Sequence, residues 1–275
     1  MDRVEGDLTV EERSVAADLL VRLGYQGRAA RVLGDRPELL VKRLAVRYWS
    51  ASSSDEVEAT ALREARDRRL SAETRHALAL FVLVRNGRRG TATAAFREAV
   101  VVAEETEPSE PLRRQAHFRA LAFVPYLAGD LDGTWALLDR AAECQNAAVA
   151  RTELERLAWE DHAFPLHETI ARTHLLTGAA DEAAAETEYL VGLSPHDHRT
   201  WAIRGDALAA AGRLEEAVDA YGVGVRLGGL PAARAAFQRG WVLRRLGREA
   251  EAVEDFRLSQ RVDPTAAAVA EALRG

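Results

Sequence analysis

The chain has a single cysteine, Cys144, among its 275 residues. A lone thiol cannot form an internal disulfide bond, so the sequence fits a protein kept in a reducing compartment. No uncharged run reaches the roughly 18 residues that a membrane-spanning helix needs. Residues 1–10 are acidic and polar and do not resemble a signal peptide. We therefore expect a cytoplasmic protein that does not contact a membrane.

Proline is also sparse, with 8 residues, and aromatic residues make up only 6% of the chain. No stretch alternates apolar and polar residues between turn signals, which argues against β-strands. Alanine, leucine, arginine and glutamate dominate instead, and these residues favour helix. The chain is 48% hydrophobic, which is enough to bury a core. An all-α protein is the expected class, and the net charge of −6 argues against a nucleic-acid partner.

The same pattern of glycine, alanine and aromatic positions occurs twice, 35 residues apart. The two stretches are GDALAAAGRLEEAVDAY (205–221) and GWVLRRLGREAEAVEDF (240–256). A third copy of the pattern lies 34 residues before the first, with its turn at Gly178. A period of about 34 residues containing helix–turn–helix is typical of tetratricopeptide repeats. The coinciding positions of the first two stretches are Gly205 with Gly240, Gly212 with Gly247, Ala217 with Ala252, and Tyr221 with Phe256.

The chain thus resembles the tetratricopeptide-repeat family in its bacterial type. The residues that carry the resemblance are Trp201, Gly205, Leu208, Gly212, Ala217, Tyr221 and Leu227, and then Gly240, Leu243, Gly247, Ala252, Phe256 and the pair Asp263–Pro264. The resemblance implies an α-solenoid of about seven helix–turn–helix pairs, closed by a capping helix over 264–275. In such a repeat the glycines permit close helix approach and sharp turns.

We expect a single superhelical domain over 1–275. The clearest repeats span 164–197, 198–232 and 233–264, and the weaker ones span 10–35, 36–70, 73–106 and 115–148. Gly24, Gly87 and Gly129 are taken as the turn glycines of three weaker repeats. Residues 104–111 read as a loop, and 151–163 as either an added helix or an extension of its neighbour.

Other local signals concern helix ends. Thr9 with Glu12, and Ser53 with Glu56, predict capping boxes. Pro125 falls inside a predicted helix, where it removes one backbone hydrogen bond and either kinks the helix or marks its last turn.

Five of the seven histidines lie between residues 162 and 198, which raises the possibility of a metal site. Their spacing lacks the histidine pair of a zinc-protease helix. His167 and His174 take the repeat positions of Trp201 and Leu208, so we interpret them as packing residues and predict no metal and no cofactor. The alternative is an accessory or metal-dependent protein that uses this segment. The five are His162, His167, His174, His196 and His198.

No phosphate-binding loop, nucleophile elbow or Cys-x-x-Cys pair occurs in the chain. Glu160, Asp161 and Glu168 could act with the histidines as acids and bases, but carboxylates are common in a chain with 43 acidic residues. We therefore predict that the protein is not an enzyme.

The family resemblance implies that the first helix of each pair lines a concave groove. Counted from the turn glycines, that face carries eight arginines, four acidic residues and five aromatic residues. Arginine forks suit carboxylates or phosphates, and aromatic residues supply anchoring area. The predicted face is Glu11, Asp18 and Arg22; Phe81 and Arg85; Arg119, Phe123 and Tyr126; Glu168 and Arg172; Arg199 and Asp206; and Arg234, Phe237, Trp241, Arg244 and Arg245.

We predict from this face a scaffold that binds a protein or peptide with acidic groups, so that exchanging Arg119 and Arg172 for glutamate weakens binding. A competing interpretation treats the arginines as ordinary surface residues paired with nearby acids. The lysine–asparagine clamp of the chaperone-tail adaptors is absent from the face. A second functional class is self-assembly into a homo-oligomer, because imperfect repeat ends associate readily.

Overall fold

The computed structural model describes residues 8–22, 25–50, 54–229, 231–264 and 267–274. All regular secondary structure within these ranges is helical. The α-helices are α1 Val10–Arg22, α2 Gln26–Leu33, α3 Leu40–Ser50, α4 Ser54–Arg66, α5 Ala72–Arg88, α6 Ala94–Glu105, α7 Pro111–Leu121, α8 Phe123–Leu127, α9 Leu131–Ala147, α10 Glu153–Leu176, α11 Ala180–Leu193, α12 His198–Ala210, α13 Leu214–Leu227, α14 Pro231–Arg245, α15 Glu249–Val262 and α16 Ala267–Ala272, with a 3-10 turn at Pro37–Leu39.

Consecutive helices pack as helix–turn–helix pairs, namely α1 with α2, α3 with α4, α5 with α6, α7 and α8 with α9, α10 with α11, α12 with α13, and α14 with α15. These are seven pairs, and α16 follows them. Within the described ranges the structure therefore confirms the predicted all-α solenoid of about seven pairs with a C-terminal helix.

The chain divides into two compact units. The first unit, Met1–Ala148, contains α1 to α9, and the second unit, Val149–Gly275, contains α10 to α16. The two units are described separately below. That the whole chain forms one superhelical domain stays a prediction.

Four glycines occupy equivalent turns with the same left-handed backbone. Their φ angles lie between +75° and +79°, a region that residues with a Cβ atom rarely adopt. The prediction that Gly87 is a turn glycine is wrong, because Gly87 lies inside α5 and the turn falls to Gly90, at φ +68°. Gly24 lies outside the described residues. The four glycines are Gly129, Gly178, Gly212 and Gly247.

The small residues predicted at helix contacts are buried in both units. Each of them is at most 2% exposed, so the helices of a pair touch through alanine rather than through long side chains. The predicted positions that are confirmed in this way are Ala17, Ala29, Ala99, Ala122, Ala141, Ala171, Ala183, Ala217 and Ala252.

One predicted capping box is confirmed at the start of α1. The backbone N–H of Thr9 donates to Oε2 of Glu12 at 2.8 Å, and the N–H of Glu12 donates back to Oγ1 of Thr9 at 3.2 Å. Ser53 lies outside the described residues. A further box, Thr152 with Glu155, begins α10. The predicted loop over 104–111 is confirmed in its main part, since α6 ends at Glu105 and α7 begins at Pro111.

Two prolines shape the first helices of their pairs differently. α10 is a continuous helix of 24 residues that includes Pro165, so 151–163 is an extension of its neighbour rather than a separate helix. Before Pro125 the helix breaks at Ala122, which separates α7 from the five-residue α8. Pro125 has no backbone N–H, so the hydrogen bond to the carbonyl of Leu121 is missing at this break.

The last helix, α16, covers the end of the second unit. Val269 and Ala272 are buried against Leu243 and Phe256. The helix begins at Ala267, three residues after the predicted start at Pro264.

Candidate functional site

The most exposed aromatic side chain of the predicted face is Trp241, on α14 in the second unit. Its residue is 43% exposed, whereas Phe256 behind it is fully buried. The rings of Phe237 and Phe256 lie 6.2 and 5.6 Å from the Trp241 ring, and all three pack edge-on or tilted. Trp241 is therefore a rigidly held aromatic group with one side open to solvent.

Arg244 belongs to the packing around this tryptophan. Its guanidinium lies 5.3 Å from the Trp241 ring centre and 4.9 Å from that of Phe256. Its Nη2 lies 2.9 Å from Oε1 of Glu249 and donates to the carbonyl of Ala272 at the same distance. The charge of Arg244 is thus balanced inside the unit.

Two other arginines of α14 have weaker partners. Nη2 of Arg234 lies 3.7 Å from Oδ2 of Asp206, and its side chain is 61% exposed. The other oxygen of Asp206 accepts a 2.6 Å hydrogen bond from Tyr221. Burial and this carboxylate together raise the pKa of Tyr221, so its phenol stays protonated. The exposed Arg245 donates to a neutral acceptor, the carbonyl of Ala209, at 3.3 Å.

The remaining predicted residues of the second unit form internal ion pairs. Glu168 is buried, and its Oε1 lies 3.1 Å from Nη2 of Arg172 on the same helix. Arg199 holds the α12 N-cap residue Asp197 through both carboxylate oxygens and stacks 4.3 Å from the Phe164 ring centre. Burial opposes the charge of Arg199, but the hydrogen bonds to Asp197 outweigh it and raise the pKa.

In the first unit, the predicted face is used largely for packing. Arg85 is 4% exposed and reaches Asp55 and Glu58 with its two terminal nitrogens, at 2.8 and 2.6 Å. The ring of Phe123 covers Gly87 of α5, where no Cβ atom would fit. Tyr126 is half-buried beside it, at 6.3 Å between ring centres.

Phe81 and Arg119 are half-buried, and Phe81 packs against the core of the first unit. Glu11 is exposed on α1, and Asp18 pairs with Lys42 at 2.5 Å. The side chain of Arg22 is outside what the structure describes.

Three histidines, His76, His117 and His167, contact neighbouring side chains in the described structure. His167 bonds to Glu186 and lies 4.2 Å, ring to ring, from Tyr189. His76 and His117 are buried and stacked at 5.2 Å in the first unit. Among the described residues no three histidine, cysteine, aspartate or glutamate side chains converge as a metal site would require. The same part of the chain contains no helix long and apolar enough to cross a membrane.

Sequence reasoning missed the carboxylates that neutralise this face. Asp197 could have been found, because an aspartate just before a helix is a strong N-cap signal. Asp55 and Glu58 could not, because they lie about one repeat before Arg85 and meet it only through packing.

Two family models match the chain. The model described as bacterial transcriptional activator domain matches residues 129–227, and the tetratricopeptide repeat model matches residues 233–265. The second match coincides with α14 and α15, which carry Trp241 and its ring partners. The chain is thus similar to the tetratricopeptide-repeat family in the part that these models match. A search of the curated proteins gave no match.

Solved structures of similar fold agree. A tetratricopeptide repeat protein from Parabacteroides merdae ATCC 43184 superposes with a TM-score of 0.54 at 13% identity, covering 96% of this chain and 97% of that chain. The apo form of RapI superposes with the same TM-score at 10% identity, covering 94% of this repeat protein and 77% of RapI. At these identities the likeness concerns the fold alone.

Proposed function

We propose that this repeat protein is a non-catalytic scaffold that binds a segment of another protein along the α12 and α14 face of its second unit. The exposure of Trp241 is the observation that carries the proposal. Trp241 keeps 43% of its surface exposed although its ring packs on Phe237 and Phe256, and rigid aromatic anchors of this kind dominate binding energy at interfaces.

The charges beside Trp241 support a segment that carries acidic groups. Arg234 and Arg245 flank the tryptophan on the same helix, and neither has a close carboxylate partner among the contacts described above. An acidic side chain at either position would replace a long or neutral contact with a charge-assisted hydrogen bond. The paired arginines Arg172 and Arg199 contribute less, because a partner would first have to displace Glu168 or Asp197.

The test is capture of a partner from lysate of the source organism by the tagged protein and by a Trp241→Ala variant. Tyr189→Ala on α11 is the control, since Tyr189 is similarly exposed, at 41%. We expect one protein to be retained by wild type and by the control but lost with Trp241→Ala. Retention of the same protein by wild type and by both variants would refute the proposal.

Light scattering over a range of concentrations distinguishes self-assembly in the same preparation. If the protein retains only copies of itself, and those copies dissociate with Trp241→Ala, the face is an interface between identical chains. Metal analysis of the purified protein addresses the alternative that the segment 162–198 binds a metal.

A second candidate function is supported by the family match over residues 129–227. We propose that the captured segment belongs to the transcription machinery or to a regulator of it, so that the scaffold acts in gene activation. Comparing transcripts of a deletion strain with those of a strain carrying Trp241→Ala tests this. The two strains should lose the same transcripts, and unchanged transcripts in both would refute the regulatory role.

A further inference from the structure

Three side chains of α14 form a stripe on the open face. Arg234, Trp241 and Arg245 are separated by seven and four residues. At about 100° and 1.5 Å per residue they lie within about 40° of one another, with the tryptophan about 10 Å from the first arginine and about 6 Å from the second. The stripe is therefore a cation, an aromatic ring and a second cation in a line along the helix axis.

The neighbouring helix leaves space beside this stripe. α12 lies alongside α14, since Arg245 reaches the carbonyl of Ala209 and Arg234 reaches Asp206. Ala202 and Ala210 lie four residues before and four residues after Asp206 on α12, and both are at least partly exposed. On this side α12 therefore offers short alanine side chains near the row formed by Arg234, Trp241 and Arg245.

The spacing of the stripe favours a helical occupant over an extended one. A helix beside α14 repeats with the same period, so its residues at i, i+4 and i+11 also lie on one face. An extended chain rises about 3.3 Å per residue and would cover the stripe in about five residues. Residues five apart in a strand point to opposite faces, so the period of an extended segment matches the stripe less well than the period of a helix.

We infer that the occupant of this face is an amphipathic α-helix with acidic residues at i and i+11 and a large apolar residue at i+4. The first acid pairs with Arg245, the apolar residue packs on Trp241, and the second acid pairs with Arg234. This order corresponds to an antiparallel approach, in which the helix dipoles of the partner and of α14 oppose each other. The inference rests on the proposed function, because it names the partner of the same face.

Three synthetic peptides with an alanine and glutamine background test the inference, measured by anisotropy of a fluorescent label. The matched peptide carries glutamate at i and i+11 and leucine at i+4. The displaced peptide has the same composition, but both glutamates are moved by two residues to the opposite side of the helix. The third is the matched peptide with two central prolines, which prevent a helix.

We expect the matched peptide to bind about tenfold more tightly than either of the other two, as about 1.4 kcal/mol from two partly exposed ion pairs would give. The variant Arg234→Gln/Arg245→Gln should abolish this difference. Arg257→Gln/Arg261→Gln, which removes two exposed arginines from α15, should preserve it. Circular dichroism establishes that both variants are folded.

The outcomes separate this inference from the proposed function. If the proline peptide binds as tightly as the matched one and Trp241→Ala abolishes both, the face binds an extended segment and the helical partner is refuted. If no peptide binds, the helical partner is refuted as well, and the lysate experiment with Trp241→Ala alone decides whether the face binds protein at all.

Discussion

A Cβ atom placed on Gly240 would lie 2.6 Å from Cε1 of Phe256. The ring of Phe256 is fully buried and rests directly on the α14 backbone, so the helices of the last repeat approach more closely than any side chain would permit. Tyr221 covers Gly205 in the same way in the preceding repeat. In both repeats the glycine of the first helix thus makes room for the aromatic ring of the second helix.

Gly240→Ala should therefore destabilise the second unit, although alanine is the better helix former. Overpacking a well-filled contact costs about 1–3 kcal/mol, which exceeds the roughly 0.5–1 kcal/mol gained in helix propensity. Gly192→Ala is the control, because nothing lies within 4 Å of a Cβ atom at Gly192 in α11. Urea unfolding should show a lower midpoint for Gly240→Ala and an unchanged or higher midpoint for Gly192→Ala. Equal midpoints would mean that Phe256 moves aside at no cost.

The ion pair between Arg239 and Asp255 gives a second prediction. Asp255 is 5% exposed, and both of its oxygens accept hydrogen bonds of 2.6 Å from Arg239. These bonds raise the pKa of Arg239. Arg239→Leu leaves an uncompensated carboxylate in the core and should lower the free energy of unfolding by about 3 kcal/mol.

Adding Asp255→Leu should recover much of that loss, because the second change removes the buried charge that the first left without a partner. A double-mutant cycle by urea unfolding measures the recovery. A double variant that is as unstable as the sum of the two single variants would contradict an interaction between the side chains.

Much of this fold could be predicted from one repeating frame, because each position of a repeat does the same physical task in every copy. Gly178, Gly212 and Gly247 were recognisable as turns for that reason. Gly87 was assigned to a turn wrongly because Gly90 follows three residues later. Only the packing shows that Gly87 makes room for the ring of Phe123, whereas Gly90 has the left-handed backbone of the turn. The candidate site was harder to predict.

Arginine positions follow the repeat, but their partners do not. Whether an arginine such as Arg85 faces solvent or a carboxylate depends on a side chain about 30 residues away, and no local pattern encodes that.

The buried histidine pair of the first unit predicts a dependence of stability on pH. Burial and, to a smaller extent, His117 beside it together lower the pKa of His76 to about 4. Burial also lowers the pKa of His117, against the opposing charge of Glu107. Nδ1 of His76 contacts Oγ1 of Thr106 at 3.1 Å, while Nε2 has no hydrogen-bond partner in the described structure.

Because the unfolded chain binds these protons more readily than the folded one, stability is full above about pH 6.5 and is lost as the pH falls towards 4. His76 alone contributes about 3 kcal/mol to this loss. The charges of Arg113, Arg114 and Arg140 oppose protonation further, whereas that of Glu107 favours it.

Hydrogen exchange of α5 and α7 amides at pH 7 and pH 4.5 measures the effect. The protection lost on acidification should be much smaller in His76→Phe than in wild type, and unchanged in His196→Gln, which alters an exposed histidine. If His76→Phe loses as much protection as wild type, the acid sensitivity originates in other groups.

The last prediction separates the open arginines of the proposed face from the paired ones. Arg234→Gln/Arg245→Gln should weaken capture of the partner about tenfold without changing stability, because neither side chain has a close ion pair to lose. Arg172→Gln/Arg199→Gln removes the same charge but also removes the contacts to Glu168 and to the α12 cap Asp197, so it should lower stability more than affinity. Affinity by titration at low and high salt, with urea unfolding of each variant, measures both quantities. The sequence alone predicts that Arg119 and Arg172 contribute to binding across a broader groove. Equal loss of affinity in the two double variants would support that broader groove and contradict the proposal that binding depends on the stripe on α14.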